Sequence, residues 1–344
     1  MRNKGEVQRK KYNVAILGAT GAVGMEMLKV LQERDFPIQE LRLLASSRSA
    51  GKVIETEKYG SVTIQEAKDS AFEGMNIVLG AAENDISKKF VDAIKASGAA
   101  YIDNSSAFRM DPEVPLVVPE INPEDAFTHK GVIANPNCST IITLVAINAI
   151  NRLSPIEALY ASTYQAVSGA GIKGPKEMYE QSRNILEGKD IECSTFPYQI
   201  AYNLLPQIGG FGENGYTSEE MKLQNEGRKI LHLPELKVSC TCVRVPVERS
   251  HSISANVITK DRLELEDVRK AISEAAGCKL KDDTEKNIYP MPIETSDQDL
   301  VYVGRIRRDL VCENGINLWC CGDQVRKGAA TNAVQIAQLL ISRD

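Results

Sequence analysis

The run VAILGATGAVG at residues 14–24 restricts what this chain can fold into more than any other stretch. An apolar segment leads directly into Gly18, Gly21 and Gly24, after which Met25, Leu28 and Leu31 recur at helical spacing. Strand, glycine turn and helix together let backbone N–H groups approach a pyrophosphate, while the helix N-terminus adds partial positive charge. The spacing is G-x-x-G-x-x-G, and Thr20, Ala22 and Val23 complete the candidate cofactor-binding turn.

Around this turn the pattern is that of an α/β protein. From Tyr12 to about Ala134 short apolar runs alternate with helical patterns, as βαβ units around a parallel sheet do. Strands are expected at 13–17, 41–45, 76–79, 100–102 and 131–134, and helices at 25–34 and 87–97. From about Ile156 longer alternating strands such as 237–245 and 252–258 suggest a second domain with a mixed or antiparallel sheet. Val325, Ala329, Ala333, Ile336 and Leu340 then mark a closing amphipathic helix that could return to the first domain. The expectation is a Rossmann-type doubly wound parallel sheet formed by 12–137 and 325–344, with an α+β catalytic domain over 138–324 carrying a mixed, largely antiparallel sheet. A length of 344 residues suits two domains.

Composition removes several classes of function. A net charge of -5 argues against a surface built to neutralise nucleic-acid phosphates. No apolar run approaches the roughly 20 residues that span a bilayer, so no membrane partner is expected. The start, MRNKGEVQRKKY, is basic without an apolar h-region and reads as a flexible lead-in to a cytoplasmic protein. Eight cysteines are too sparse for a disulfide scaffold. Cys240/Cys242 and Cys320/Cys321 lack Cys-x-x-Cys spacing and lie in apolar runs, so they read as buried structural thiols, and no metal site is expected.

The second expected strand ends in SSRSAG, where an NAD site would usually place an acidic residue for the ribose hydroxyl. Ser46, Arg48 and Ser49 instead offer hydroxyls and a guanidinium suited to a 2′-phosphate, which favours NADP.

Chemistry points to Cys138. It stands in NPNCST, between the strand GVIA and the apolar helix IITLVAINAI, where a helix N-terminus stabilises a thiolate and Ser139 or Thr140 can cap the turn. Of the three histidines, His129 and His232 read as surface residues. His251 lies in CVRVPVERSHSIS between two strand-like segments, seven positions after Arg244, and imidazole has the pKa for proton exchange with an attacked carbonyl. Arg109 in DNSSAFR and Lys222 in SEEMKLQNEGRK lie in segments resembling ligand loops. Glu219 and Lys222 share a helical face and, taken alone, read as a surface ion pair.

Together these segments resemble the aspartate-semialdehyde dehydrogenase family over about Tyr12 to Leu340. GATGAVG, SSRSAG, NPNCST, STYQAVSGAG, EEMK, RVPVERSHS, YVGRIRRDL and KGAATNAVQ stand in that family's order. The resemblance implies Cys138 as nucleophile, Gln165 as the side chain orienting the reacting intermediate and His251 as acid/base. It implies Arg244 on the substrate α-carboxylate, Glu219 facing the amino group and Asn137 as a further polar contact. Arg109 and Lys222 match the clamp for inorganic phosphate or acyl phosphate. Ser168, Gly169 and Asn332 match cofactor contacts, Asn332 on the nicotinamide side. The implied reaction is the reversible reductive dephosphorylation of L-4-aspartyl phosphate to aspartate semialdehyde, in lysine, threonine and methionine biosynthesis, by a homodimer joined through the second domain. Two segments depart from the pattern: GAAEND stands where a glycine- and serine-richer loop is expected, and Ala107 has no assignable role. The rival readings are an N-acetyl-glutamyl-phosphate reductase-like enzyme and a non-catalytic NADP-binding sensor.

Overall fold

The structure, a computed structural model, describes residues 10–343, so most of the basic lead-in lies outside the described residues. The first sheet is built from β1 (Tyr12–Leu17), β2 (Ile38–Ala45), β3 (Val53–Thr56), β4 (Gly60–Glu66), β5 (Ile77–Gly80), β6 (Ala100–Asp103) and β7 (Val132–Ala134), in the order β3-β4-β2-β1-β5-β6-β7. Every neighbouring pair is parallel except β3 with β4. The chain leaves β1 toward β2 on one side and later places β5 on the other. That reversal opens a crevice beyond the carboxyl ends of β1 and β5, the place where such sheets take ligands. Two helices, α1 (Ala22–Glu33) and α2 (Asn84–Ala96), serve as crossovers.

The second half holds α3 (Cys138–Leu153), β8 (Ile156–Gln165), α4 (Lys173–Leu186), α5 (Ser218–Ile230), β9 (Lys237–Arg244), β10 (His251–Thr259), α6 (Leu265–Glu274), β11 (Cys278–Leu280), α7 (Pro292–Thr295), β12 (Val301–Arg308) and β13 (Gly315–Gly322). Its sheet runs β11-β12-β13-β10-β8-β9. The pairs β12–β13, β13–β10 and β10–β8 are antiparallel, whereas β8–β9 and β11–β12 are parallel, so the sheet is mixed as expected. Every residue of α3 from Ser139 to Ile150 is buried, because the helix packs on the second sheet and shares a core with Leu17, Leu44 and Val78 of the first. A helix apolar on all sides needs such cover all round.

The closing segment differs from the expected amphipathic helix. Arg326–Ala330 form a π-helical turn, and α8 (Thr331–Ile341) follows. Ala333, Val334, Ile336 and Ala337 pack with Met27, Val30 and Leu31 of α1, so the chain does return to the first sheet. Arg326 and Lys327, which an amphipathic helix would leave in water, are buried at 5% and 0% exposure. Arg326 is met by Glu33 and Asp299, and Lys327 by Glu120 at 2.6 Å, and these partners make the burial tolerable. The four thiols of Cys240, Cys242, Cys320 and Cys321 are buried as expected. No helix among the described residues is long and apolar enough to cross a membrane.

Candidate active site

Strand register gathers the functional side chains. Gln165, the last residue of β8, pairs with Arg244, the last residue of its parallel neighbour β9. His251 opens β10, which runs antiparallel to β8, so it starts where β8 ends. Three side chains distant in sequence therefore meet at one end of the second sheet. The N-terminus of α3 faces that end with Cys138 as its first residue, and Cys138 Sγ lies 3.5 Å from His251 Nε2.

Asn137 caps α3: its Oδ1 accepts from the N–H groups of Ser139 and Thr140 at 3.1 and 3.2 Å. Ser139 and Thr140, the expected caps, lie inside the helix, where their hydroxyls cannot reach its first amides. The helix terminus does not leave the thiol acidified. Burial, reinforced by the Glu219 carboxylate, pushes Cys138 up to about 11 against the opposing charges of Lys222, Arg109 and Arg244. The stabilisation expected from the helix terminus is therefore opposed by desolvation, which disfavours the charged thiolate.

His251 is fully buried, and burial with the nearby Arg244 lowers it to about 3 although Glu219 opposes. Its Nδ1 accepts the Ala166 N–H at 3.1 Å, so the neutral ring carries its proton on Nε2, the atom turned to Cys138. Gly169 closes over the pair: a Cβ there would stand 2.7 Å from Arg244 Nη1 and 3.3 Å from His251 Cε1.

Glu219 is the acidic centre of the site. Its Oε1 accepts from Asn137 Nδ2 at 3.0 Å and from Gln165 Nε2 at 3.2 Å, and its Oε2 accepts from Lys222 at 2.8 Å. Burial alone would raise its carboxyl, but the Lys222 charge and these donors outweigh that and hold it below the usual range. The pair that alone resembled a surface ion bridge is largely enclosed, with the Glu219 side chain 9% exposed. Arg244 donates to the Ala166 carbonyl at 2.8 Å. Arg109 donates to the carbonyls of Asn135 and Asn104 at 3.0 and 2.8 Å and to Glu226 at 3.1 Å.

At the other side lies the crevice of the first sheet, a groove of about 690 Å³ lined by Gly18, Thr20, Gly21, residues 81–85, Ser105 and Ser106. Gly18 has φ +87°, and a Cβ on it would stand 2.7 Å from the Ala81 carbonyl oxygen, while one on Gly24 would stand 2.3 Å from the Gly18 oxygen. Both glycines are thus required for the turn and for close helix packing, which suits a dinucleotide phosphate site. Ala22 and Val23 open α1 behind Gly21. Ser46 and Arg48 are exposed and Ser49 half-buried in the turn after β2, free to meet a ribose phosphate. The GAAEND loop lines the groove, and its Asn84 holds Ser106. Ser168 is held by Gln324. Asn332 is fully buried, and its amide donates to the Val117 carbonyl and to Asn135 Oδ1. Both its hydrogens are spent inside the protein, so the geometry does not carry the expected nicotinamide contact.

Sequence reasoning missed Glu226 and Asn135. Glu226 had a signal: it lies four residues after Lys222 and seven after Glu219 on α5, hence on the same helical face. Asn135, two residues before the helix cap, had none.

A parallel nucleotide-binding sheet joined to a mixed sheet that presents a cysteine beside a histidine defines a class, the cysteine-dependent dehydrogenases of semialdehydes. Residues 13–129 match the family described as semialdehyde dehydrogenase, NAD binding domain, and residues 148–327 match semialdehyde dehydrogenase, dimerisation domain. An aspartate-semialdehyde dehydrogenase of Synechocystis sp. is 51% identical over 96% of this chain and 97% of its own length. That of Bacillus subtilis is 47% identical over 95% of this chain and 97% of its own. Aspartate semialdehyde dehydrogenase II of Vibrio cholerae, solved also as a complex with ASA, superposes with a TM-score of 0.94 at 44% identity, covering 97% of this chain and 99% of that one. The chain belongs to the aspartate-semialdehyde dehydrogenase family.

Proposed function

We propose that the chain interconverts L-4-aspartyl phosphate and L-aspartate 4-semialdehyde through a thioester on Cys138, with NADP as its redox partner. The observation that carries this reading is the 3.5 Å approach of Cys138 Sγ to His251 Nε2 at the junction between the dinucleotide groove and the second sheet. Gly18, Thr20, Gly21, Ala22, Val23 and Gly24 would hold the cofactor pyrophosphate, Ser46, Arg48 and Ser49 its 2′-phosphate, and Ser168 with Gly169 its reactive end. When bound, NADP supplies the hydride acceptor.

Arg244 takes the substrate α-carboxylate and Glu219 its ammonium group, which fixes the aldehyde carbon against the sulfur. Glu219 also opposes ionisation of Cys138. An ammonium group set against that carboxylate offsets its field, so the thiol ionises more readily once substrate is seated. Attack forms the C–S bond and places charge on the former carbonyl oxygen. His251 Nε2–H is aimed to hydrogen-bond that oxygen and stabilise its charge until hydride leaves, the thiol proton having gone to solvent, and Gln165, oriented by Glu219, steadies the intermediate. After loss of hydride a thioester remains on Cys138. Phosphate held by Arg109 and Lys222 then attacks the acyl carbon, the C–S bond breaks, and the sulfur leaves as thiolate. Biosynthesis runs the sequence in reverse.

A buried carboxylate beside a buried arginine suits a free amino acid better than an acetylated one, which favours aspartyl over N-acetyl-glutamyl phosphate. We read the protein as a cytoplasmic homodimer joined through the region 138–324, with 12–137 and 325–344 binding NADP. The test is phosphate-dependent reduction of NADP by aspartate semialdehyde. Cys138→Ala is expected to fall to background while circular dichroism stays native, and full turnover by that variant refutes the thioester.

A further inference from the structure

The phosphate clamp and the cysteine turn share one buried carboxylate that the reaction itself does not use. Glu226, on α5, is 2% exposed. Its Oε1 accepts from Arg109 Nη1 at 3.1 Å, and its Oε2 accepts from the main-chain N–H of Asn137 at 2.7 Å. One side chain therefore grips the arginine assigned to phosphate and the residue that caps the helix carrying Cys138.

The rest of the arginine is tied down around the same turn. Arg109 Nε donates to the carbonyl of Asn135, two residues before the cap, and Nη2 to that of Asn104. With one hydrogen on each nitrogen spent inward, the second hydrogens of Nη1 and Nη2 form the edge left for an anion. Asn135 is itself fixed, donating to Asn104 Oδ1 at 2.7 Å and to the Ala329 carbonyl at 3.2 Å. The direction of the free guanidinium edge is thus set relative to the backbone that positions the sulfur.

We propose that Glu226 is a positioning residue for thioester phosphorolysis, holding the Arg109 edge and the Asn137–Cys138 turn in a single fixed geometry. The inference rests on the phosphate step proposed above. A carboxylate is required because both groups facing it are donors. An amide of the same shape must turn its NH₂ toward one of them, and so can satisfy only Arg109 or Asn137. Its loss acts on the phosphate clamp and the cysteine turn, none of whose side chains lines the dinucleotide groove, so phosphate use suffers while NADP binding is spared.

The experiment compares native protein with Glu226→Gln and Glu226→Asp. The KM values for phosphate and NADP are measured by steady-state reduction of NADP, and inorganic phosphate is titrated into NADP-loaded protein by calorimetry. Glu226→Gln is expected to raise the phosphate KM about tenfold or more, leave the NADP KM within about twofold, and weaken calorimetric phosphate binding in parallel. In an Arg109→Lys background the same substitution is expected to add little, because the group it positions has already been changed. A native phosphate KM in Glu226→Gln, an equal rise in both KM values, or full additivity with Arg109→Lys overturns the role. If Glu226→Gln does not fold, the same split is read from Glu226→Asp, which keeps the charge but shortens the reach. Native protein without phosphate-dependent turnover sinks the proposed function instead, and the calorimetric comparison then still decides whether Glu226 holds Arg109 for an anion.

Discussion

Cys138 and His251 face each other as neutral groups. Desolvation and the Glu219 carboxylate push the half-buried thiol up to about 11, and burial with the nearby Arg244 lowers the imidazole to about 3. A thiolate–imidazolium pair would give alkylation a plateau that begins at a lowered thiol pKa and extends to a raised imidazole pKa. Here the rate with iodoacetamide, measured without substrate, is expected to climb about tenfold per pH unit from pH 7 to above 9. A plateau setting in below pH 8 would mean that the pair is ionised at rest. At this scale the sequence was informative where a residue's neighbours in the chain announce its chemistry. Cys138 in NPNCST and His251 after Arg244 could be read directly, whereas the Glu219–Lys222 spacing on α5, taken alone, read as a surface ion pair. The thiol's environment could not be read, because the groups that set it arrive from α5 and β9. The Ala166 N–H that fixes the imidazole proton was equally hidden, being a main-chain group 85 residues away.

Among the elements, the π-helical turn of the closing segment packs directly against Cys138 at the start of α3. Gly328 lies in that turn, and a Cβ on it would stand 2.8 Å from Cys138 Cβ. Neither atom is the flexible end of a side chain, so Gly328→Ala must push the turn or the start of α3 aside. The expected result is a loss of about tenfold or more in kcat with a native-like fold, since a small misplacement of the nucleophile costs heavily. Steady-state kinetics beside a thermal melt checks it, and a native kcat would show that the turn does not hold the sulfur in place. Five strands of the first sheet and β9 and β10 of the second were legible from their apolar runs, with ends displaced by up to three residues, whereas β8 and β11 to β13 were not delimited. The β3–β4 hairpin was not anticipated, because only Ile64 of its eleven residues is buried and the apolar signal is correspondingly thin. The π turn was invisible for another reason: Val325, Ala329 and Ala333 recur at the spacing of an ordinary helix, so nothing in the sequence marks the wider turn in which Arg326 and Lys327 are buried.

Across the whole molecule, those two buried cations tie the end of the chain to its beginning and middle. Arg326 reaches Glu26 and Glu33 on α1 and Asp297 and Asp299 before β12. Lys327 donates to Glu120 at 2.6 Å, Gln335 at 2.7 Å and Asn332 at 2.9 Å, so each of its three hydrogens has a partner. Asn332 in turn holds Asn135 beside the cysteine turn. Burial pulls the Lys327 ammonium below its ordinary value, and the Glu120 carboxylate opposes that pull. Lys327→Met would leave Glu120 as a buried charge without its partner, at a cost of about 3–5 kcal/mol. Urea unfolding is expected to show that loss, and adding Glu120→Gln is expected to recover part of it by removing the stranded charge. If the double variant were as unstable as the sum of the single ones, the ion pair would not be the interaction that seats the closing helix. The remaining explanation would be the apolar packing of α8 on α1, which Ala337→Gly would then weaken more than either charge substitution.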